Sequence, residues 1–300
     1  MVSEKYNQLQ ARLRSYGSCL VAYSGGVDSA LLAYVAYQVL GEKSLAAIAD
    51  SPSLPRREFE DALAIAGQFQ FPVRVIQTQE FANPSYLANP NNRCYFCKHE
   101  LFTQLAPLAK TENMAVIAYG ENASDVGDYR PGAQAASEFQ VRAPLKEVGL
   151  TKAEIRQLSS ELGLPTADKP QMACLSSRIP YGEPVTEEKL SMIEQAENVL
   201  RDLGFYDIRV RHHELRVSSV EGRGGKDPAS SAEPSTFNLQ PSTVRHLARI
   251  EVGPTELPKF LTNGLAQKIA ESLRKIGYAH VTLDLAGYRR GSTNESLLKP

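Results

Sequence analysis

The sequence predicts an α/β protein, a doubly wound parallel sheet followed by a smaller C-terminal α+β domain. Three observations carry that prediction. An apolar run at Cys19–Tyr23 breaks into Ser24-Gly25-Gly26-Val27-Asp28-Ser29, and a long apolar stretch, Ala30 to Leu40, follows at helical length. Short apolar runs then alternate with helix-length segments as far as Tyr119. Between Pro165 and Pro184 four prolines interrupt any periodicity, and a domain boundary is expected there.

Taken in order, Tyr6, Leu9, Leu13 and Tyr16 recur at helical spacing and predict an opening helix packed on the sheet edge. Cys19–Tyr23 reads as a buried strand and Ala30 to Leu40 as its helix. Ser44 to Ala49 is a second strand ending at Asp50-Ser51, Arg57 to Phe69 a helix, and Val73 to Ile76 a third strand. Cys97 to Lys110 reads as a helix and Ala115 to Tyr119 as a fourth strand. Strands separated by such helices build a parallel sheet, whose ligands sit outside the carboxyl ends of the strands. Asp50, Ser51, Gly120, Glu121 and Asn122 fall at such ends. Thr151 with Glu154 makes a capping box, and Gly163 closes that helix. Residues 1–164 are thus expected as the first domain, 165–185 as a linker carrying an active-site loop, and 186–300 as the small domain. The latter carries a helix at Glu187–Leu203, strands at Asp207–Arg211, Ala248–Val252 and Val281–Leu285, and a mostly helical Leu257–Ile276. Around 221–243 the chain is rich in Gly, Ser and Pro and reads as a mobile insertion.

The loop at 24–29 is built for an anion. Its glycines permit a sharp turn and a close backbone approach, and the following helix offers free N–H groups and a positive dipole end. Ser24 and Ser29 add hydroxyl donors, and Asp28 can hold a phosphate-bound Mg²⁺ or cap the helix. No lysine follows the glycines, so this is not the Gly-x-x-x-x-Gly-Lys loop. Asp128 and Arg130, in the turn from Asp125 to Gly132, fall on the same rim and are suited to metal and phosphate.

Composition narrows the partners. With 33 Lys and Arg against 34 Asp and Glu, the formal charge of −1 argues against a bulk polyanion binder, so no nucleic-acid partner is expected. No apolar run is long enough to span a membrane, and no apolar leader opens the chain. Four cysteines are too few for a disulfide scaffold, and a reducing cytoplasm is the expected compartment. Cys19 lies in a strand and reads as a small buried hydrophobe. Cys94 and Cys97 form a Cys-x-x-Cys pair just before a helix, and Cys174 stands in a loop with nothing obvious to pack against. Three thiolates suit an iron–sulfur cluster with one open iron, and His99 would complete a Cys₃His zinc site instead.

Ser24-Gly25-Gly26-Val27-Asp28-Ser29 resembles the pyrophosphate (PP) loop of the N-type ATP pyrophosphatases. Together with Gly127-Asp128-Tyr129-Arg130-Pro131-Gly132, Ser176-Ser177-Arg178-Ile179-Pro180-Tyr181-Gly182 and Leu283-Asp284-Leu285-Ala286-Gly287-Tyr288-Arg289, it resembles the LarE-type ATP-dependent sulfur transferases. The match runs over nearly the whole chain apart from 214–245. The resemblance implies an enzyme that adenylylates a carboxylate of pyridinium-3,5-biscarboxylic acid mononucleotide, releases pyrophosphate, and replaces oxygen by sulfur for a nickel-pincer cofactor. It implies ATP, Mg²⁺ and, through Cys94, Cys97 and Cys174, a [4Fe-4S] cluster carrying sulfide from a sulfur donor. In a second branch of the family a single loop cysteine, here Cys174, gives up its own sulfur. Lys98 is expected to neutralise charge on the acyl-adenylate, and Arg209 and Arg211, on one face of a strand, to bind the substrate phosphate. Ser177, Arg178, Arg289, Glu197 and Glu251 are further carry-overs, the two glutamates at positions where the family binds metal in a hexamer.

Other readings use some of the same residues. A tRNA thiolase would use the same loop and a cysteine cluster, but a basic RNA-binding appendage is missing from the sequence. Ammonia-using NAD or GMP synthetases fit the second domain and the cysteines poorly. A non-catalytic nucleotide-binding protein with structural zinc would leave ATP intact.

Overall fold

The computed structural model describes residues 2–125, 131–170, 173–217 and 243–289. Asp128, Arg130 and most of the expected insertion lie outside them. The chain divides into two compact units, 1–177 with 181–190, and 178–180 with 191–300.

In the first unit, strands β1 (Cys19–Tyr23), β2 (Ser44–Asp50), β3 (Val73–Gln77) and β4 (Val116–Tyr119) form a parallel sheet in the order β3-β2-β1-β4. The chain winds from β1 outward to β3, then returns to the other side of β1 for β4. The strand order therefore reverses beside the carboxyl end of β1, where such folds open a crevice for ligand. Alternation of side chains along β1 makes two cores. Cys19, Val21 and Tyr23 face helices α1 (Val2–Tyr16), α2 (Val27–Leu40) and α3 (Arg56–Gln68). Leu20 and Ala22 face α4 (Arg93–Thr111) and α5 (Pro131–Glu138) through Phe102, Leu105 and Ala135. Burial pushes the Cys19 thiol up to about 12, as expected of a core residue that never ionises.

Three local expectations change. Helix α1 buries Leu9, Leu13 and Tyr16 mainly against α2, because an apolar face of that helix is free to take them. Helix α4 begins at Arg93, not Cys97, so both cysteines lie inside it, three residues apart on one face. Its start is set by a turn through Pro90–Asn92, with the Arg93 amide donating to the Pro90 carbonyl at 2.9 Å, which apolar periodicity does not register. The loop after Cys174 is firmly docked, with the Leu175 amide bonded to the Ser53 carbonyl. The capping box forms as expected: Thr151 accepts from the Glu154 amide, and the Glu154 carboxylate accepts from the Thr151 amide at 2.8 Å, opening α6 (Lys152–Glu161).

In the second unit, β5 (Ile208–Val217) pairs antiparallel with β6 (Thr243–Val252), and β6 pairs parallel with β7 (Tyr278–Leu283). Both β5 and β6 run further than expected. Their added halves carry Arg, His and Glu, which hide a strand from any apolar signal, and Thr243 belongs to β6. The expected Leu257–Ile276 helix is split: a 3₁₀ segment, Pro254–Leu261, is separated from α8 (Leu265–Ile276) by Gly264 at φ 66°. Helix α7 (Glu187–Asp202) and α8 pack Ala196, Leu200, Ile269 and Leu273 on Val210, Ala248 and Ile250.

Candidate active site

The loop after β1 is held by its own hydroxyls. Ser29 Oγ accepts from the Ser24 amide at 3.1 Å, lies 3.0 Å from Ser24 Oγ and donates to the Gly26 carbonyl at 3.1 Å. Gly25 sits at φ +71°, and a Cβ there would stand 2.6 Å from Ala62 Cβ on α3. Gly120, closing β4, packs so tightly that a Cβ would meet the Ser29 amide nitrogen at 2.9 Å. No side chain caps α2 at Gly26, so its first-turn N–H groups remain available to an anion at the switch point.

Asp28 does not cap the helix. Its carboxylate accepts from Lys152 Nζ at 2.5 Å and from Asn122 Nδ2 at 3.3 Å, bringing the loops after β1 and β4 and the start of α6 to one point. Lys152 carries no signal of its own in the sequence; its place at the start of α6 was legible, its partner was not. Asp50 accepts from Arg56 at 2.5 Å and from Gln77 at 3.1 Å. Burial alone would raise its pKa, but those two bonds bring it below the usual range. Ser51 donates to Glu80, a buried carboxylate whose Oε2 has no hydrogen-bond partner among the described residues. Glu121 accepts from Tyr119 and from Lys146.

Around the cysteines the first unit gathers a second set of groups. Cys94 is exposed, yet desolvation and then the Cys174 charge raise its thiol, while Arg93 and Lys98 pull it down. Cys97 is raised by burial, then by Cys174 and Glu80, with Cys94 adding to it. Cys94 and Cys97 lie three residues apart on α4, and Cys174 belongs to the same unit. Among the described residues no group of three or more His, Cys, Asp or Glu side chains stands at metal-holding spacing. His99 packs its ring against Phe139 and Tyr95, with centroids 5.1 and 5.7 Å away. Lys98 Nζ lies 5.8 Å from the Phe102 ring centroid and 5.9 Å from that of Tyr119.

Cys174 is followed by a 3₁₀ turn, Leu175–Arg178, which is pinned to the first unit over 175–177. The Leu175 amide donates to the Ser53 carbonyl at 2.8 Å. Ser176 Oγ lies 2.8 Å from both Ser53 Oγ and Tyr86 Oη. Arg93 Nη1 donates to the Ser176 carbonyl at 2.9 Å and to Asn89 Oδ1 at 2.5 Å. The Ser177 amide donates to the Cys174 carbonyl at 3.0 Å. Tyr86, Ser53 and Arg93 escape sequence reasoning; only the adjacency of Arg93 to Cys94 hints at any of them.

The second unit holds the remaining arginines. Arg178, fully buried, donates to both Glu197 oxygens at 2.8 and 3.1 Å, and the Val210 amide adds a third bond at 3.0 Å. Burial opposes ionisation of Glu197, yet Arg178 holds its pKa below the usual range. Arg209 and Arg211 share a face as expected, and both are buried, at 2% and 7% exposed. Arg209 stacks over Tyr288 at 4.6 Å, and burial plus the neighbouring Arg178 charge lower its pKa. Arg211 donates twice to Glu251 Oε2, at 3.0 and 2.9 Å, and Arg249 reaches the other oxygen at 3.2 Å. Glu197 and Glu251 are thus each held by arginine. Arg289 is the last described residue.

A family model described as NAD synthase matches residues 1–92, the segment containing the glycine loop. An uncharacterized protein of Synechocystis is 42% identical over the full length of both chains. The pyridinium-3,5-bisthiocarboxylic acid mononucleotide synthase of Lactiplantibacillus plantarum is 29% identical over 99% of this chain and 96% of its own. One component of the glutamine-hydrolysing GMP synthase of Archaeoglobus fulgidus is 23% identical over 75% of this chain and 83% of its own.

Proposed function

Because the chain belongs to the LarE-type proteins of the PP-loop ATP pyrophosphatase superfamily, and is an ATP-dependent enzyme of that kind, we propose that it converts a carboxylate of pyridinium-3,5-biscarboxylic acid mononucleotide into a thiocarboxylate. The observation that carries this reading is that one unit holds both an anion loop at the sheet's switch point and three free cysteines, Cys94, Cys97 and Cys174.

A carboxylate resists nucleophiles because resonance and charge protect its carbon. In the first step a carboxylate oxygen attacks the α-phosphorus of ATP and pyrophosphate leaves, giving a mixed anhydride. The backbone of 24–29, the α2 N-terminus and Lys152, which meets Asp28, would stabilise the departing pyrophosphate. Asp28 would hold Mg²⁺ on the triphosphate once Lys152 turns from it to phosphate. In the second step a sulfur nucleophile attacks the acyl carbon and AMP leaves with the original carboxylate oxygen.

Cys94, Cys97 and Cys174 offer the thiolate chemistry of a [4Fe-4S] cluster, although their described positions are not at ligating spacing. Bound there, a cluster would supply a sulfide on its open iron. Without it, Cys174 Sγ itself attacks the adenylate. Loss of the Cys174 Cα proton and cleavage of its Cβ–S bond then release the thiocarboxylate and leave dehydroalanine. Arg209, beside Arg178 and over Tyr288, is the guanidinium we assign to the substrate phosphate, with Arg211 held by Glu251 next to it. The test is product analysis with ATP and the biscarboxylate under oxygen-free conditions. AMP, pyrophosphate and a sulfur-bearing product are expected; ADP and phosphate would refute the reading, and sulfur appearing only in added tRNA would redirect it.

A further inference from the structure

Three lysines gather around the carboxyl end of β4, and two of them meet a carboxylate. Lys152 pairs with Asp28, and Lys146 Nζ lies 3.0 Å from Glu121. Lys98 is half-buried, and among the described residues no carboxylate pairs with it. Its ammonium sits instead in a corner made by two rings. Nζ lies 5.8 Å from the Phe102 centroid and 5.9 Å from that of Tyr119, and the rings stand 6.1 Å apart at 75° to each other. A ring face attracts a cation through its quadrupole but does not cancel the charge, so such a corner fixes an ammonium and leaves it open to an anion. Tyr119 is itself held beside the anion loop. It pairs with Ala22 of β1, its hydroxyl donates to Glu121, and the next residue, Gly120, is the one packed against the Ser29 amide. On the other side of the lysine stem, a Cβ at Gly132 would meet Lys98 Cγ at 2.9 Å, so only glycine leaves the stem where it is.

We propose that Tyr119, with Phe102 beside it, is a positioning residue that holds the Lys98 ammonium for the carboxylate being adenylylated and for the acyl-adenylate it becomes. The inference rests on the sulfur-transfer reading and adds to it the residues that favour the acyl end of the intermediate over ATP alone.

The test is calorimetric titration of the full-length protein with two probes. One is ATP with Mg²⁺; the other is the adenosine acyl-sulfamate of pyridine-3,5-dicarboxylic acid, a stable mimic of the acyl-adenylate. Tyr119→Leu should weaken the mimic about five- to tenfold and leave ATP within about twofold of wild type. Tyr119→Phe keeps the ring face and should hold the mimic within about twofold of wild type. In a Lys98→Met background Tyr119→Leu should cost nothing further, whereas a tyrosine with only a structural role would cost the same in both backgrounds. Equal mimic affinity in wild type and Tyr119→Leu, or additive losses in the double variant, overturns the proposal. Should Tyr119→Leu fail to fold, Gly132→Ala decides, because it displaces the lysine stem and leaves both rings in place. It should weaken the mimic and spare ATP, and unchanged mimic affinity overturns the proposal. Failure of the underlying reading is separable, because the wild type itself would then show no affinity for the mimic.

Discussion

Replacing Gly25 by alanine probes the loop at its most constrained point. The residue sits at φ +71°, where an L side chain costs about 1–2 kcal/mol. The new methyl would also meet Ala62 Cβ at 2.6 Å, and Ala62 belongs to a packed helix with no exposure, so the contact cannot relax cheaply. Overpacking of this kind costs about 1–3 kcal/mol, giving a total of about 2–5 kcal/mol. Gly26 is the internal control, because a Cβ there meets only Ser24 Oγ at an ordinary 3.5 Å. Urea denaturation of Gly25→Ala, Gly26→Ala and the double variant Gly25→Ala/Ala62→Gly would measure these energies. Ala62→Gly should return the steric part but not the backbone part, and costs about 1 kcal/mol of helix propensity itself. The single variant should also weaken ATP binding, since the loop amides move with the turn. A Gly25→Ala protein as stable as wild type, or a double variant with no coupling between the two sites, would refute the reasoning.

Lys152→Met should leave stability nearly unchanged, as its partner is part-exposed, but lower the rate of AMP formation by about 10²-fold; unchanged turnover would remove Lys152 from the chemistry. Glu197→Gln should cost about 3–5 kcal/mol by stranding the buried Arg178, read as a shift in denaturation midpoint. Because the Glu197 pKa is depressed on folding, its contribution is present above the ordinary carboxylate value of 4.5 and fades as pH falls through the folded value. Wild type should therefore lose more stability in acid than Glu197→Gln, and parallel pH curves would contradict this. His213 is shifted the other way for a base: burial, then Arg249 and Arg211, lower its pKa from 6.5. The folded state disfavours the extra proton, so stability should drop as pH falls below 6.5, and His213→Asn should flatten that slope; an NMR titration midpoint above 6.5 would show the sign to be wrong.

Much of this architecture is written locally in the chain. The strand, glycine loop and helix at 19–40 announce themselves through neighbouring residues, and so does the capping box at Thr151 and Glu154. The long strands β5 and β6 were less legible because their far halves owe their form to pairing with each other, not to apolar alternation. Arg209 and Arg211 were legible as a pair on one strand face, but not their burial, which comes from stacking on Tyr288 and pairing with Glu251, some 40 or more positions away. The seat of Cys174 was hidden for the same reason. Ser53, Tyr86 and Arg93 converge on Ser176 from three separate stretches of sequence, none with a signature of its own.

The proposed chemistry stands or falls on a carboxylate being activated by AMP and its oxygen exchanged for sulfur. The most direct measurement starts from the biscarboxylate with heavy oxygen in its carboxyl groups and follows that oxygen by mass spectrometry. Each thiocarboxylate formed should leave one labelled oxygen in the phosphate of AMP. Unlabelled AMP alongside a sulfur-bearing product, or label carried into phosphate with ADP as the other product, would contradict the proposed route.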